Sequence, residues 1–228
     1  MRDPAIQPCP TISVVIPTLN EEGSISAAIK SASNADEIVV VDGGSSDRTR
    51  AVAEESGVRV LEAAPSRGLQ MAKGATATRG DWIIFLHADT RLSDQACPYI
   101  RRLDPAVMGG AFRLRFDSPR LTYRALELVV RVRTRGLRLP YGDQAIFCRR
   151  AAYAAAGGMP AFPVMEDVAF IRALGRTGKL AFPSIDAVTS PRRYEKRGPI
   201  RSSIRNLWLL TRYFAGADVS DLARAYRP

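Results

Sequence analysis

Short apolar stretches alternate with amphipathic ones along the first ninety residues of the chain. The apolar stretches are typical of buried strands and cover residues 12–16, 37–41, 58–61 and 82–86. The amphipathic stretches have helical spacing and cover residues 21–32, 47–55 and 67–78. Asn20 is the expected N-cap of the first helix. This repeated order predicts an α/β fold whose mostly parallel sheet is covered by helices on both faces.

The order of elements is less regular after residue 100. Strands are expected at residues 111–116 and 145–148, and helices at residues 121–135, 167–177 and 200–214. We find no internal repeat, low-complexity tract or linker. We therefore expect one compact domain over residues 1–228 whose C-terminal region is helical.

Polar residues follow the predicted strands, at the edge where ligands bind in such sheets. They are Thr18, Asn20 and Glu21 after the first strand, Asp42 and Asp47 after the second, and Asp89 after the fourth. Arg67 precedes the third helix. Carboxylates are the ligands that Mg²⁺ and Mn²⁺ prefer, and helix N-termini suit phosphate groups. This pattern predicts a metal-assisted site for a phosphate-bearing ligand.

Several classes of protein are excluded or disfavoured. Neither a P-loop motif nor a glycine-rich dinucleotide fingerprint is present, and His87 is the only histidine, which excludes a multi-histidine metal site. Cys9, Cys97 and Cys148 are odd in number and far apart, which indicates a reducing compartment. Without an apolar leader or a run of 18 apolar residues, we expect a cytoplasmic protein.

The charge is divided unevenly along the chain. The formal net charge is +10, but residues 1–100 carry −4 and residues 101–228 carry +14. An acidic first half is not what a nucleic-acid-binding protein needs, so nucleic acid is not an expected partner. The division favours two tasks, with about residues 10–100 holding one ligand and about residues 101–228 holding another.

The order of several motifs resembles family 2 glycosyltransferases of GT-A fold. The motifs are ISVVIPTLNEE at residues 12–22, EIVVVDGGSSD at 37–47, Arg67-Gly68, FLHADT at 85–90, Gly142-Asp143-Gln144 and Met165-Glu166-Asp167. FLHADT and the later RRYEKRG at residues 192–198 are similar to a short soluble bacterial subfamily. That subfamily is named for its association with radical-SAM and selenium-related neighbours.

The resemblance implies a Rossmann-like fold and a nucleotide-sugar donor, most simply a UDP-sugar. The implied donor-binding residues are Pro17, Thr18, Asn20, Glu21, Asp42, Asp47, Arg67, Ala88, Asp143, Gln144, Arg192 and Arg193. Glu21 matches the acid on the ribose hydroxyls, and Asp42 the residue that reads the uracil edge. Asp143 and Gln144 match a turn near the acceptor or the donor's sugar.

The resemblance also implies a metal and a catalytic base. Asp89 matches the last acid of the Asp-x-Asp motif, which binds Mg²⁺ or Mn²⁺, and His87 stands at its first position. The pair Glu166 and Asp167 matches the acids that supply the base, with Asp167 in that role. One base and one displacement imply inversion at the sugar carbon C1. As an alternative, His87 faces solvent or pairs with Asp143.

Plainer explanations stand beside these roles. The DGG sequence at residues 42–44 is also typical of a turn that only ends a strand. Glu21, Asp47 and Glu166 have the positions of acids that stabilise helix N-termini. A non-catalytic relative that binds membranes or nucleic acid is an alternative function. A nucleotidyltransferase is another, although residues 17–20 lack the glycine- and lysine-bearing loop of that class.

Two arginine-rich helices allow more than one explanation and do not identify the acceptor. Arg120, Arg124, Arg131 and Arg135 share one face of the helix at residues 121–135, next to Leu121, Leu128 and Val132. The last helix repeats this arrangement with Arg201, Arg205 and Arg212 beside Trp208. Such a helix either packs its apolar side in the core or docks on an anionic membrane. The acceptor is unidentified, with a lipid-linked or anionic compound fitting the charge.

Overall fold

A seven-stranded mixed sheet lies at the centre of the protein. The computed structural model describes residues 9–226, apart from the side chains of Arg193, Lys196, Arg197 and Ile200. The first strands are β1 Ile12–Thr18, β2 Glu37–Asp42, β3 Arg59–Glu62, β4 Trp82–Phe85 and β5 Thr90–Leu92. The others are β6 Val107–Ala111, β7 Arg113–Phe116, β8 Ile146–Arg149, β9 Lys179–Ala181 and β10 Asp186–Thr189.

Ten α-helices occur in the described residues. The first five are α1 Ile25–Ser31, α2 Thr49–Glu55, α3 Arg67–Ala77, α4 Ala96–Arg101 and α5 Leu121–Leu137. The others are α6 Arg150–Ala155, α7 Glu166–Leu174, α8 Arg192–Arg197, α9 Pro199–Phe214 and α10 Val219–Tyr226. A short 3₁₀ turn at Gly142–Gln144 precedes β8.

The strand order in the large sheet is β3-β2-β1-β4-β8-β6-β9. The first four of these strands are parallel, as the repeated strand–helix pattern predicts. β8 runs antiparallel to both β4 and β6, and β9 then pairs parallel with β6. The sheet is therefore mixed and mostly parallel, which confirms the predicted α/β class.

Burial on both faces explains the unbroken apolar runs of the central strands. Val14 and Ile16 of β1 point into one core cluster, while Val15 between them points into the other. Helices α1, α2 and α4 cover the first face, and α3, α6 and α7 cover the second. Because both faces of β1 are covered, alternation of apolar and polar residues is not required.

The strand predicted at residues 111–116 is two strands in different sheets. β6 ends at Ala111 in the large sheet, and β7 begins at Arg113 in a three-stranded sheet with the order β5-β10-β7. Phe112 lies between them, buried in the core. The prediction of one strand was wrong because continuous alternation does not show where a chain passes from one sheet to another.

The expected N-cap at Asn20 is also wrong. α1 begins at Ile25, because residues 21–24 form a separate turn in which the amides of Ser24 and Ile25 both donate to the Glu21 carbonyl. Asn20 instead adopts a left-handed φ of 53°, and its Oδ1 accepts a hydrogen bond from the Ser46 amide at 2.8 Å. A short asparagine side chain is among the few that tolerate this conformation.

The apolar residues of α5 for which the sequence left core packing and membrane docking open are exposed. Leu121, Leu128 and Val132 have 83%, 60% and 65% of their surface accessible, and the helix packs through Tyr123 instead. In α9, Ile204, Leu207 and Trp208 are likewise exposed, whereas Leu209 and Leu210 are buried. Among residues 9–226, none of the helices is both long enough and apolar enough to cross a bilayer.

We expect Gly110→Ala to destabilise the protein by about 3 kcal/mol. A Cβ at this position would lie 1.8 Å from the carbonyl oxygen of Ala181, so β6 and β9 would have to separate. The matched control is Gly136→Ala in α5, where nothing lies within 4 Å and alanine favours the helix by about 0.5–1 kcal/mol. Urea unfolding measures both. Equal stabilities for the two variants would contradict the tight pairing of β6 with β9.

Candidate functional site

Two adjoining cavities lie at the ends of β1 and β4, where polar residues follow the strands. The first, here the β1 cavity, measures about 390 Å³ and is lined by Pro17, Thr18, Glu21, Arg67, Ala88 and Tyr226, among others. The second, the α9 cavity, measures about 110 Å³ and is lined by Asp143, Asp167, Ser202, Arg205 and Asn206, among others. Arg67, His87, Asp89 and Tyr226 border both cavities.

The end of β1 is fixed by a buried glutamine that the sequence analysis did not predict. Gln70 of α3 donates through its Nε2 to the carbonyl oxygens of Thr18 at 2.7 Å and Val41 at 2.8 Å. The amide therefore ties the carboxyl ends of β1 and β2 together. Thr18 is itself buried, and its Oγ1 has no hydrogen-bond partner in the described part of the chain. The only sequence signal for this role of Gln70 was a polar residue among the apolar positions of α3.

Glu21 borders the β1 cavity and is held from two sides. Ser24 donates to its carboxylate at 2.7 Å, and Arg192 of α8 forms an ion pair with the same carboxylate. The Glu21 side chain is mostly buried, whereas Arg192 is about half exposed. Two predicted donor-binding residues that are 171 positions apart in sequence therefore touch each other. The side chain of Arg193, also predicted here, lies outside the described part of the structure.

Asp42 is buried and holds the turn that follows β2. Its Oδ2 accepts hydrogen bonds from the amides of Gly44 at 3.1 Å and Ser45 at 2.9 Å, and its Oδ1 accepts one from Ser45 Oγ at 2.5 Å. Ser45 Oγ in turn accepts the Asn20 amide at 2.9 Å. The turns after β1 and β2 are thus joined side by side, with Asp42 and Asn20 supporting them behind the β1 cavity.

Asp47 holds the segment before α2 by hydrogen bonds, as Asp42 holds the turn after β2. It accepts hydrogen bonds from the Thr49 side chain at 2.5 Å, the Thr49 amide at 2.9 Å and the Glu22 amide at 3.2 Å. The hydrogen bond from the Thr49 hydroxyl is the main reason that the pKa of Asp47 lies below its ordinary value. Asp47 thereby connects the turn after β1 to the N-terminus of α2.

Arg67 and Glu166 form the ion pair between the two cavities. Arg67 Nε lies 3.4 Å from Glu166 Oε1, and only 3% of the Glu166 side chain is exposed. The Glu166 charge raises the pKa of the Arg67 guanidinium above its ordinary value, although burial acts in the opposite direction. The carboxylates of Asp167 and Asp89 act in the same direction as Glu166. Arg67 therefore lies near acids from the start of α7 and from the segment after β4.

Asp167 faces the α9 cavity and is positioned by the turn before β8. Its Oδ2 accepts the Gly142 amide at 2.7 Å, and its Oδ1 accepts the Val168 amide at 2.7 Å. Met165, directly before the acidic pair, has a left-handed φ of 63°, which a long side chain rarely adopts. The chain thus turns sharply at Met165, after which Glu166 and Asp167 point to different partners.

Gly142 also lies against His87. A Cβ at Gly142 would lie 2.6 Å from His87 Nε2 and 3.6 Å from Asp167 Oδ2, so only glycine fits between the two side chains. His87 is buried. The turn at Gly142 therefore brings His87, at the end of β4, close to Asp167, at the start of α7.

Gln144 lies behind the site and does not line either cavity. Its Oε1 accepts hydrogen bonds from Thr134 Oγ1 at 2.9 Å and Arg133 at 3.3 Å, and its Nε2 donates to the Phe112 carbonyl at 3.0 Å. These contacts join α5 to the strand crossing at residue 112. Asp143, its neighbour in sequence, lines the α9 cavity.

The donor atoms at the end of β4 suit a divalent cation that a substrate helps to hold. In residues 9–226 no group of three or more His, Cys, Asp or Glu side chains could hold a metal by itself. Mg²⁺ is commonly bound through one or two carboxylates together with substrate phosphates and water. Asp89, with His87 beside it, meets this description, and both border the two cavities.

Several cavity residues were not predicted from the sequence. They are Ser66, Gln70, Tyr141, Val164, Ser202, Asn206 and Tyr226, together with Arg205 as a cavity residue. Tyr141 is covered by the guanidinium of Arg133, whose carbon lies 3.5 Å from the ring centre. The residues from α9 and α10 reach the site only through the packing of these two helices, which no local motif reports.

We expect Glu166→Gln to destabilise the protein by about 2 kcal/mol, because Arg67, whose side chain is only 31% exposed, would lose its charged partner. The matched control is Glu55→Gln, which breaks the Arg48–Glu55 pair, whose side chains are 72% and 65% exposed. That change should cost less than about 1 kcal/mol. Urea unfolding at neutral pH compares the two variants. Similar losses would show that the Arg67–Glu166 pair does not stabilise the site.

Known proteins are similar to part of this sequence and share the fold described above. The sequence profile of Glycosyl transferase family 2 matches residues 13–155, which is more than half of the chain. Glucosyl-3-phosphoglycerate synthase from Mycobacterium tuberculosis is 38% identical over 93 residues, which cover 35% of this chain and 29% of that relative. An undecaprenyl-phosphate 4-deoxy-4-formamido-L-arabinose transferase from Pseudomonas paraeruginosa is 35% identical over 117 residues, which cover 45% of this chain and 34% of the relative. The chain therefore matches about a third of these relatives' length.

The fold extends the similarity over more of the chain. The crystal structure of the M. tuberculosis glucosyl-3-phosphoglycerate synthase with Mn²⁺ and UDP-glucose superposes with a TM-score of 0.61 at 25% identity. The superposition covers 87% of this chain and 78% of that structure. The mostly parallel sheet and its flanking helices thus match the GT-A glycosyltransferase fold. From the profile match over residues 13–155, the chain belongs to glycosyl transferase family 2.

Proposed function

We propose that this protein transfers a sugar from a UDP-linked donor to an acceptor hydroxyl, with inversion at the sugar carbon C1. The observation that carries the proposal is the position of Asp167, whose carboxylate is fixed by the Gly142 amide in a cavity shared with Asp89. The proposed base, Asp167, and the proposed phosphate-binding side of the site, at Asp89, thus border the same cavity. Family membership and the UDP-glucose complex of a similar structure support the donor class.

The β1 cavity is the proposed donor site. Pro17, Thr18 and Glu21 border it from the end of β1, and Arg67 and Ala88 border it from the start of α3 and the end of β4. A buried hydroxyl at Thr18 and a carboxylate at Glu21 suit the hydroxyl groups of a nucleoside. In this proposal Asn20, Asp42 and Asp47 shape the turns that border the base, because their side chains already bind those turns.

Asp89 and His87 are the proposed protein ligands of Mg²⁺ or Mn²⁺. When bound, such a cation neutralises charge on a diphosphate leaving group. Arg67 contributes positive charge at the same place, where both cavities meet. Asp143 lies in the α9 cavity with Asp167, which favours a contact with the transferred sugar or the acceptor. Gln144 supports the turn before β8, and Arg192 pairs with Glu21 at the donor site. Arg193, the next residue in the sequence, is a further proposed donor-binding residue.

Asp167 is the proposed general base, with Glu166 positioning it through the start of α7. The acceptor oxygen attacks C1 of the sugar and forms the new C–O bond while its proton passes to the Asp167 carboxylate. The bond from C1 to the diphosphate oxygen breaks on the opposite side, and UDP leaves with that electron pair. The Gly142 amide holds Asp167 by a hydrogen bond throughout. The reaction needs no second nucleophile.

The exposed apolar residues of α5 favour a membrane surface next to the enzyme. Leu128, Val129 and Val132 are more than half exposed and lie beside Arg131 and Arg135 on the same helix. A helix that is both apolar and basic on its outer side suits a bilayer with anionic lipids. We therefore propose a cytoplasmic enzyme that binds the inner face of the membrane peripherally and takes a lipid-linked or anionic acceptor.

The finer grouping within the family is also part of the proposal. FLHADT at residues 85–90 and RRYEKRG at 192–198 favour the bacterial subfamily associated with radical-SAM and selenium-related neighbours. Ala88 of the first segment borders the β1 cavity, and Arg192 of the second pairs with Glu21, which borders the same cavity. These two contacts support a role for both segments at the proposed donor site.

Asp167→Asn should reduce UDP release from a UDP-sugar by about 10²- to 10⁴-fold, because the amide cannot accept the acceptor's proton. Binding of UDP with Mg²⁺, measured by calorimetry, should stay unchanged, since Asp167 does not border the β1 cavity. Asp94→Asn, an identical change at an exposed position, serves as the control. Unchanged turnover in the Asp167 variant would remove it as the base. Metal-independent or absent UDP binding would favour a non-catalytic relative.

Leu128→Glu combined with Val132→Glu should weaken binding to vesicles that contain phosphatidylglycerol by about tenfold or more, because two exposed apolar contacts are lost. Co-sedimentation at low salt measures the effect. Thr76→Glu adds charge at an exposed position on α3 and should leave binding nearly unchanged. If the unaltered protein ignores these vesicles at low salt, α5 is not a membrane-binding surface.

A further inference from the structure

One wall of the α9 cavity carries hydrogen-bond donors that the catalytic scheme does not use. Ser202, Arg205 and Asn206 of α9 all line this cavity. Their spacing of three and four residues places them on one face of the helix. Asp167 and Asp89 line the same cavity. The cavity therefore combines a basic, donor-rich wall from α9 with acids from β4 and α7.

The hydroxyl of Ser202 has no partner within the part of the chain that the structure describes. Ser202 is 93% buried, with a relative exposure of 7%. Other hydroxyls of α9 behave differently, since Ser203 donates to the Pro199 carbonyl at 2.9 Å and Thr211 to the Leu207 carbonyl at 2.9 Å. Serine in a helix commonly forms this bond to the preceding turn. The Ser202 hydroxyl is thus available to a molecule in the cavity.

Arg205 presents a second available donor. Its Nε is buried and has no hydrogen-bond partner among the described residues. The guanidinium carbon lies 4.6 Å from the centre of the Tyr226 ring, and this stacking holds the side chain in place. A guanidinium nitrogen can only donate, so the missing partner must be an oxygen or another acceptor atom. Arg205 lines the α9 cavity and not the β1 cavity, so it lies on the side of the site away from the proposed nucleoside pocket.

We propose that Ser202, Arg205 and Asn206 form a subsite for an oxyanion of the acceptor, either a carboxylate or a phosphate. This inference rests on the proposed function, because it places the acceptor in the α9 cavity beside Asp167. A hydroxyl, a guanidinium and an amide together suit an anionic oxygen group. Arg67 also faces the cavity, but it pairs with Glu166 and serves the donor side in the proposed function, which leaves Arg205 as the cation on the α9 wall among the described side chains.

The arrangement of charges also orients the acceptor. Arg205 attracts an anionic group to α9, whereas the Asp167 carboxylate repels it from its own side of the cavity. An acceptor with an oxyanion and a hydroxyl is therefore held with the oxyanion on α9 and the hydroxyl towards Asp167. Specificity follows from the same cause, since a neutral analogue would leave the buried donors of Ser202 and Arg205 unsatisfied.

Saturation-transfer NMR with three small probes tests this subsite. The probes are glycerol 2-phosphate, glycerate and glycerol, which share hydroxyl groups and carry a phosphate, a carboxylate or neither. The protein is loaded with UDP and Mg²⁺, so that the phosphate probe cannot enter the donor site, and ionic strength is held constant with NaCl. We expect one anionic probe to bind at least about tenfold more tightly than glycerol. The stronger anion distinguishes a phosphate subsite from a carboxylate subsite.

Variants connect this binding to α9. Arg205→Gln should weaken binding of the preferred anionic probe by about tenfold, and Ser202→Ala should weaken it by about threefold. The exposed Arg201→Ala, one turn away on α9, is the matched control and should leave anion binding nearly unchanged. Thermal unfolding shows that each variant is folded. Equal binding of all three probes, or equal anion binding in Arg205→Gln and the unaltered protein, would overturn the proposal.

The same samples separate this proposal from the donor proposal. UDP binding is followed by its own saturation-transfer signals, and it should persist in the Arg205 and Ser202 variants because neither residue borders the β1 cavity. Weaker binding of the anionic probe in these variants, with UDP binding retained, supports the subsite. Absence of UDP binding in the unaltered protein would contradict the donor assignment, while anion binding would still be measurable without UDP.

Discussion

The buried carboxylate of Glu166 is the constraint around which the site is organised. An ionised group with almost no exposed surface needs an opposite charge, and Arg67 supplies it at 3.4 Å. Arg67 begins α3, and Glu166 begins α7, so this pair joins the starts of two helices on the same face of the sheet. Asp167 follows Glu166 directly, and its position relative to the strand ends therefore depends on that pair.

The fold was predictable from the sequence wherever local pattern and burial agree. The parallel strands β1, β2 and β4 have the apolar runs that burial on both faces of the sheet requires, and polar residues that follow β1 and β4 border the β1 cavity. The crossing at Phe112 and the late start of α1 were not predictable, because both depend on distant partners. Phe112 is covered by Phe147, and the turn at residues 21–24 is held through the Thr49 hydroxyl and Asp47.

Some residues of the candidate site were predictable from the sequence and others were not. Glu21, Asp89 and Asp167 stand at strand or helix ends, and topology alone brings such residues to one edge. Gln144 resembles a site residue in sequence, yet it is buried among Thr134, Arg133 and the Phe112 carbonyl. Ser202 and Arg205 carry no motif, and only the packing of α9 against the sheet brings them to the cavity. Local spacing cannot report contacts of this kind.

Tyr226 belongs to both cavities, and this has a thermodynamic consequence for the two substrates. Its ring stacks on Arg205 at the α9 cavity and borders the β1 cavity as well. Any displacement of the ring by a molecule in one cavity changes the walls of the other. The affinities for the proposed donor and acceptor would then be linked reciprocally, with each ligand altering the dissociation constant of the other by the same factor. One aromatic ring near the end of α10 would thus couple the binding of two chemically different molecules.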